Sequence, residues 1–342
     1  MISIDAGLLR TQMSAVLHEK GVDPLSVHHV TEALVETSLR GTDSHGVNLF
    51  PAYCQFVDAG RINRAPTITT VRGTPSTAVI DADHGFGHHA GYEAMEQAMV
   101  MARHTGLGAA AVRNSHHFAA ASYYGLHAAR NGYIGMAFTN ADALAKAHGS
   151  SARFFGTNPI CFCAPMGGEE PMCLDMATTL SSWNKLLNRR RADESLPSDW
   201  AFDRDGHPTT DPHQAHSLAP AGAYKGFGLA MMVEMFCSLL ADGPLGIDVL
   251  PMYESLGEQR YVSHFFLAID IRAFVPIGRF MDRLTEMAAR IRSLPAHGPE
   301  RVQIPGDPEK AMYRHRREAG IPIDAVKFEE FLAVSPAFSK AA

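Results

Sequence analysis

No stretch of this sequence is apolar for long enough to cross a bilayer. The longest apolar helix candidate, Gly228 to Leu240, falls short of the roughly 20 residues a span needs and carries Glu234. Residues 1–20 lack a basic start followed by an apolar core, so no secretory leader is expected. Cysteine is scarce and odd in number. Cys54, Cys161, Cys163, Cys173 and Cys237 lie within apolar runs and form no CxxC pair. That excludes a disulfide framework, reads as buried thiols of a reducing compartment and places the protein in the cytoplasm. Basic blocks are missing apart from Arg189 to Arg191, and the net charge is -6. Nucleic acid is therefore not expected as a partner, and the arginine run reads as a solvated helix end or at most an anion contact. Histidine is abundant, at 18, but HExxH is absent. The pairs His28/His29, His88/His89 and His116/His117 are sequence neighbours, which do not share a helix face. Each pair can readily supply one ligand at most, and no catalytic metal is expected.

What is present belongs to an ordinary globular chain. The 342 residues are 46% hydrophobic and 19% charged, enough for one large domain or two to three smaller ones. Asp5 to Lys20 reads as an amphipathic helix closed by Gly21. Asp23 caps a second helix, with Pro24 at its first position, that ends at Gly41. A polar turn, Thr42 to Gly46, leads to a third helix over Val47 to Ala59. Thr77 to Asp81 reads as a strand, followed by a helix from about His88 to His104. Tyr133 to Thr139, Pro159 to Ala164, Met172 to Met176 and Tyr261 to Ile269 are further strands. Leu180 to Arg191, Lys225 to Leu240 and Phe280 to Leu294 read as helices. Glu300 to Lys310 reads as irregular, and a last helical region carries Phe328 and Phe331.

The most informative stretch is Asn114 to Phe118, NSHHF. It follows a small-residue strand, Leu107 to Val112, and precedes a helix read over Ala119 to Arg130. His117 is then expected at or just before the first helical turn. The positive end of the helix dipole disfavours imidazolium there, which suits a neutral acid/base group. The alternative is a capping segment in which Ser115 caps the helix and both histidines merely pack. A standard dinucleotide fingerprint is absent. Gly85, Gly87 and Gly91 give GxGxxxG, whereas Gly106, Gly108 and Ala111 give GxGxxA but lead into a strand.

Eight motifs in order bring a family into view: DSHG (43–46), NSHHF (114–118), GTNP (156–159), DMATT (175–179), PTTDP (208–212), KGFG (225–228), AID (268–270) and IPGD (304–307). Together the chain resembles the type-2 malate/L-lactate dehydrogenases over nearly its whole length. DMATT, Trp200 and PTTDP look most like the ureidoglycolate dehydrogenase branch. The resemblance implies an α/β, non-Rossmann fold with a largely antiparallel cofactor-binding sheet, residues 114–296. A helical and mixed domain would come from both chain ends, residues 1–113 with 297–342, and the assembly would be a homodimer. It also implies NAD, with NADP possible, and hydride transfer at C2 of a small 2-hydroxy or 2-keto carboxylic acid. A reductase of cyclic imino acids, or a cofactor-binding protein without turnover, would share this scaffold.

The same resemblance assigns roles. His117 matches the catalytic histidine, with Ser44 and His45 as a proton-relay pair. Asn140, Ala141, Asp175, Met176, Ala177, Lys225, Gly226, Pro305, Gly306 and Asp307 match cofactor contacts. Asn48, Tyr53 and Thr157 fall at substrate positions. One departure bears on the substrate: many relatives carry arginine at the position of Leu49, and leucine cannot grip a carboxylate. Either another group, Asn48 or Arg64, holds the acid in its place, or the substrate differs. Ala143 and Ala147 also stand where prolines are usual.

Overall fold

The computed structural model describes residues 1–341. Its centre is a seven-stranded sheet. In chain order the strands are β1 (Thr69–Gly73), β2 (Thr77–Asp81), β3 (Leu107–Ser115), β4 (Tyr133–Thr139), β5 (Ile160–Ala164), β6 (Met172–Met176) and β7 (Val262–Asp270). They lie in the order β1-β2-β3-β7-β4-β5-β6. Only β2 and β3 run parallel, joined by the Gly87–Thr105 helix. Every other pair is antiparallel, as expected of a non-Rossmann sheet.

Both faces of this sheet are covered, which is why its central strands read as continuous apolar runs. Ala110 and Val112 of β3, with Phe266 and Ala268 of β7, point to the Gly87–Thr105 and Ser122–Arg130 helices. Ala111 and Phe265 point the other way, to Val233 and Cys237. The small residues of β3 have a steric cause. A Cβ on Gly108 would fall 2.0 Å from the Ala98 carbonyl, so the helix rests directly on the strand backbone. The boundary drawn between residues 113 and 114 falls inside β3, and the sheet's first three strands precede or straddle it.

The chain ends meet in a second core. The Ala6–Glu19, Pro24–Leu39, Phe50–Asp58 and Ala325–Val334 helices pack around Leu9, Leu34, Phe50, Tyr53 and Phe331. An antiparallel ribbon, Ile2–Ile4 with Ile321–Ile323, staples the two ends together. A small five-stranded sheet holds the 201–218 loop. Arg190 donates there to the Pro212 and Ala215 carbonyls, so this arginine is an internal tie and not a free anion contact.

Several element bounds differ from expectation. The helix read from Ala119 begins at Ser122, because Ala119 takes a left-handed φ of 63° that no helix continues through. The helix read from Leu180 begins at Trp183, with the Ser182 side chain capping Lys185 N. The Lys225–Leu240 helix is α-helical over Tyr224–Glu234 and closes in a π turn, Met235–Leu239. The irregular segment at 300–310 ends early: a helix, Asp307–Ala319, starts behind Gly306. Among the described residues no helix is long and apolar enough to cross a membrane.

Candidate active site

A cavity of about 950 Å³ opens where the N-terminal core meets the edge of the large sheet. One wall is the polar turn Thr42 to His45. A second is the 119–122 segment with Thr157 and Cys173 to Ala177. A third is the turn at Gln303 to Gly306. The sequence dictates how each is held. In the polar turn, Arg316 forks onto both Asp43 oxygens at 2.6 and 2.9 Å. Gly46 is required because a Cβ there would lie 2.0 Å from Ser38 Oγ, which accepts from Val47 N. In the third wall Gly306, at φ 95°, brings the turn flat against β6; its Cβ would sit 3.0 Å from Cys173 N.

Ser44 Oγ lies 2.9 Å from His45 Nδ1, and Asn184 donates to the Ser44 carbonyl at 3.0 Å. The His45 ring stacks on His117 at 5.7 Å between centroids. His117 Nδ1 accepts from the Ala119 backbone N–H at 3.3 Å and lies 2.6 Å from the Tyr53 hydroxyl. A backbone amide can only donate, so Nδ1 is the acceptor and the neutral ring carries its proton on Nε2. Burial holds both imidazoles neutral, His45 down to about 4 and His117 well below its ordinary value. For His117 the Arg260 charge adds to the burial effect. The cause therefore differs from expectation. His117 sits five residues ahead of the helix at Ser122, outside the first turn where a dipole acts, and lost hydration does the work.

The packing alternative is half right. His116 is buried against Phe56 with neither ring nitrogen partnered. Ser115 caps nothing; its hydroxyl meets His264 Nε2 at 2.9 Å.

Ser44, His45, Thr157, Asp175, Met176, Ala177, Pro305 and Gly306 all line the cavity. Asp175 Oδ2 accepts from Ser122 N at 2.7 Å. The side chain itself is open to the cavity, and the enclosing walls, then the neighbouring Cys173, push its carboxyl up. His117 is not on the lining and meets it through the stacked His45; the other anticipated residues also lie off it. Asn140 is buried, its Oδ1 accepting from Ser263 N and its Nδ2 donating to the Pro244 carbonyl. Ala141 lies beside it, packed against Gly156. Asp307 is engaged by Arg292 and Ile304 N. Lys225 is exposed at a helix start. There Gly226 lets the chain turn against Ala221, itself on the cavity wall. Tyr53 is fully buried and reaches His117. Asn48 is half-buried, with its Oδ1 unpartnered.

Leu49 is part of the N-terminal core at 5% exposure. Arg64 is exposed and donates to the Val57 carbonyl, so it does not take the place of a carboxylate-gripping arginine. Unforeseen on the wall are Lys185, Asn188 and Ser122, whose sequence context carries no motif.

The lining fits a nicotinamide dinucleotide. The volume is at the upper end of small-molecule sites. A carboxylate suited to ribose hydroxyls faces a glycine turn that admits close backbone approach, and Lys185 on the wall can meet a pyrophosphate.

Comparison with known proteins agrees. A family model described as malate/L-lactate dehydrogenase matches residues 4–331. A malate dehydrogenase of Pyrococcus abyssi is 37% identical over 319 residues, 90% of this chain and 87% of that protein. The NAD(+) ureidoglycolate dehydrogenase of Escherichia coli K12 is 33% identical over 295 residues, 86% and 84% of the two chains. The solved malate dehydrogenase of Pyrococcus horikoshii superposes with a TM-score of 0.89 at 33% identity, covering 98% of this chain and 95% of that one. Relatives are named for NAD(+) or for NADP(+). The chain belongs to the malate/L-lactate dehydrogenase family and is an NAD(P)-dependent oxidoreductase acting on the CH–OH group of small 2-hydroxy acids.

Proposed function

We propose that His117 is the acid/base of this enzyme, that Ser44 and His45 relay its proton to the cavity, and that NAD or NADP lies along Asp175 to Ala177 and Pro305 to Gly306. The single observation that carries this reading is the neutral His117 ring stacked on His45, which itself lines a cavity of dinucleotide size. When bound, the nicotinamide supplies or accepts the hydride at C2. The chain's own groups do the rest. The Nε2–H of His117 is set to donate to a keto oxygen, with Tyr53 and the Ala119 amide fixing the ring. In the oxidative direction the neutral ring must present a bare Nε2, its single proton moved to Nδ1 facing the Tyr53 oxygen, and it becomes imidazolium as it takes the hydroxyl proton, which must then leave. Ser44 and His45, half-buried on the cavity wall, are the route out.

Leu49 offers no guanidinium, and the substrate carboxylate is assigned to Arg260, a buried side chain off the cavity lining that is tied to the Leu250 carbonyl and Asp142 and whose charge bears on His117 and Tyr53. Ureidoglycolate, malate and lactate-type acids all present the required carboxylate beside a C2 hydroxyl, and relatives of 37% and 33% identity are named for two of them. A homodimer is supported by the exposed apolar side of the Tyr224–Glu234 helix and its π turn. Tyr224, Met231, Met235 and Leu239 are each at least half exposed there, a surface suited to a second copy. A chain sedimenting as a monomer at micromolar concentration counts against it.

The test is oxidation of NADH and of NADPH with a panel of linear 2-keto acids and a cyclic imino acid. Turnover with a linear keto acid is expected, and His117→Ala should lower kcat by about 10²–10⁴ while leaving cofactor affinity nearly intact. Undiminished turnover in that variant removes His117 from the chemistry.

A further inference from the structure

Three of the five cysteines, scattered in sequence, converge behind the cavity. In the β5/β6 pair Cys163 stands opposite Cys173, and Cys161 opposite Asp175. Side chains alternate along a strand, so Cys161 and Cys163 share a face, and their cross-strand partners share it with them. That face packs on the Ser122–Arg130 helix at Gly125. A Cβ there would come within 2.6 Å of Cys161 Sγ and 2.9 Å of Cys163 Sγ, so only glycine leaves the sulfurs room. The three sulfur atoms lie within 4.8 Å of one another, and Cys161 to Cys163 is 3.6 Å. None is in a disulfide. A cation bound to thiolates at about 2.3 Å sets them about 3.8–4 Å apart, so little movement separates this cluster from a ligand set.

We propose that Cys161, Cys163 and Cys173 form a binding site for a thiophilic d¹⁰ cation, Zn(II) or Cu(I), entered from the cavity that Cys173 lines. Three sulfurs and no carboxylate in the set select a soft ion over magnesium or calcium. Entry is provided for: Cys161 and Cys163 are fully buried, whereas Cys173 is only partly buried and lines the cavity. Binding exchanges the thiol protons for the metal, so affinity rises with pH. The site adjoins Asp175 and so shares a wall with the proposed cofactor site, yet it stands on the sulfurs alone and is testable without turnover.

The experiment is titration of the reduced, full-length protein under anaerobic conditions with Cd(II) as a spectroscopic probe, followed by competition with Zn(II). One equivalent is expected to raise ultraviolet thiolate-to-metal charge transfer and to be displaced by Zn(II). Cys163→Ala and Cys173→Ala should each weaken binding by at least about 100-fold, whereas Cys54→Ala and His207→Ala should not. His207 serves as a control because Asp203, Asp205 and His207 form the other candidate cluster among the described residues. If Cys163→Ala fails to fold, Cys173→Ala at the cavity edge carries the test. Absence of a charge-transfer step at one equivalent overturns the proposal, as does affinity unchanged in Cys173→Ala or lost in His207→Ala.

Discussion

At the scale of single residues, the site turns on what surrounds two imidazoles. His117 is kept neutral by lost hydration and kept in one tautomer by an amide that can only donate. The Leu49 position shows the cost of reading a site one residue at a time. Leucine carries no charge, and the guanidinium proposed in its place, Arg260, comes from a distant segment and is tied to Asp142 and to the Leu250 carbonyl. Arg260→Lys keeps a cation beside Asp142 but loses the planar fork. It is expected to raise KM for the keto acid about 10- to 100-fold, with cofactor affinity unchanged. Steady-state kinetics over a range of acid concentrations decides this, and an unaltered KM would show that Arg260 holds no substrate carboxylate.

At the scale of elements, the sheet edge and the Tyr224–Glu234 helix are locked together by one buried carboxylate. Glu234 accepts from Gly246 N at 2.7 Å and from Asn158 Nδ2 at 2.8 Å, and Asn140 Nδ2 stands 3.5 Å away. Burial pushes its carboxyl up while these donors pull it down. Glu234→Ala would strand the donors in the interior and is expected to cost about 2–4 kcal/mol. Glu234→Gln, which keeps one acceptor, should cost less. Urea denaturation of both variants checks this, and an alanine variant within about 0.5 kcal/mol of the parent would refute the hub.

This hub also marks where sequence reading stops. DSHG, NSHHF, DMATT and IPGD were legible because their chemistry is local: a polar turn, a glycine, a strand end. Glu234 in an apolar helix, Tyr53 reaching across 64 positions to His117, and Cys173 opposite Cys163 each depend on long-range pairing. Three-residue strands such as Ile2–Ile4 carry too short a pattern to declare themselves.

At the scale of the whole molecule, the abundance of histidine becomes a statement about stability. His88 and His264 are fully buried and His29 nearly so, and burial lowers all three to about 3. A histidine whose folded pKa lies below its unfolded value of about 6.5 binds fewer protons when folded, so folding is opposed as pH falls below that value. The stability these neutral rings preserve is complete above pH 6.5 and declines down toward about pH 3. Each site contributes on the order of 1–2 kcal/mol of destabilisation by pH 5, and several act together against a net stability of roughly 5–15 kcal/mol. Thermal unfolding followed between pH 8 and pH 4.5 should show Tm level near neutrality and then falling steeply below about pH 6.5. His88→Phe should flatten the fall while lowering Tm little at pH 8, because neither nitrogen of that ring has a partner to lose. A Tm independent of pH down to 5 would mean that the buried rings are not held neutral, and with them the acid/base character assigned to His117 would lose its physical basis.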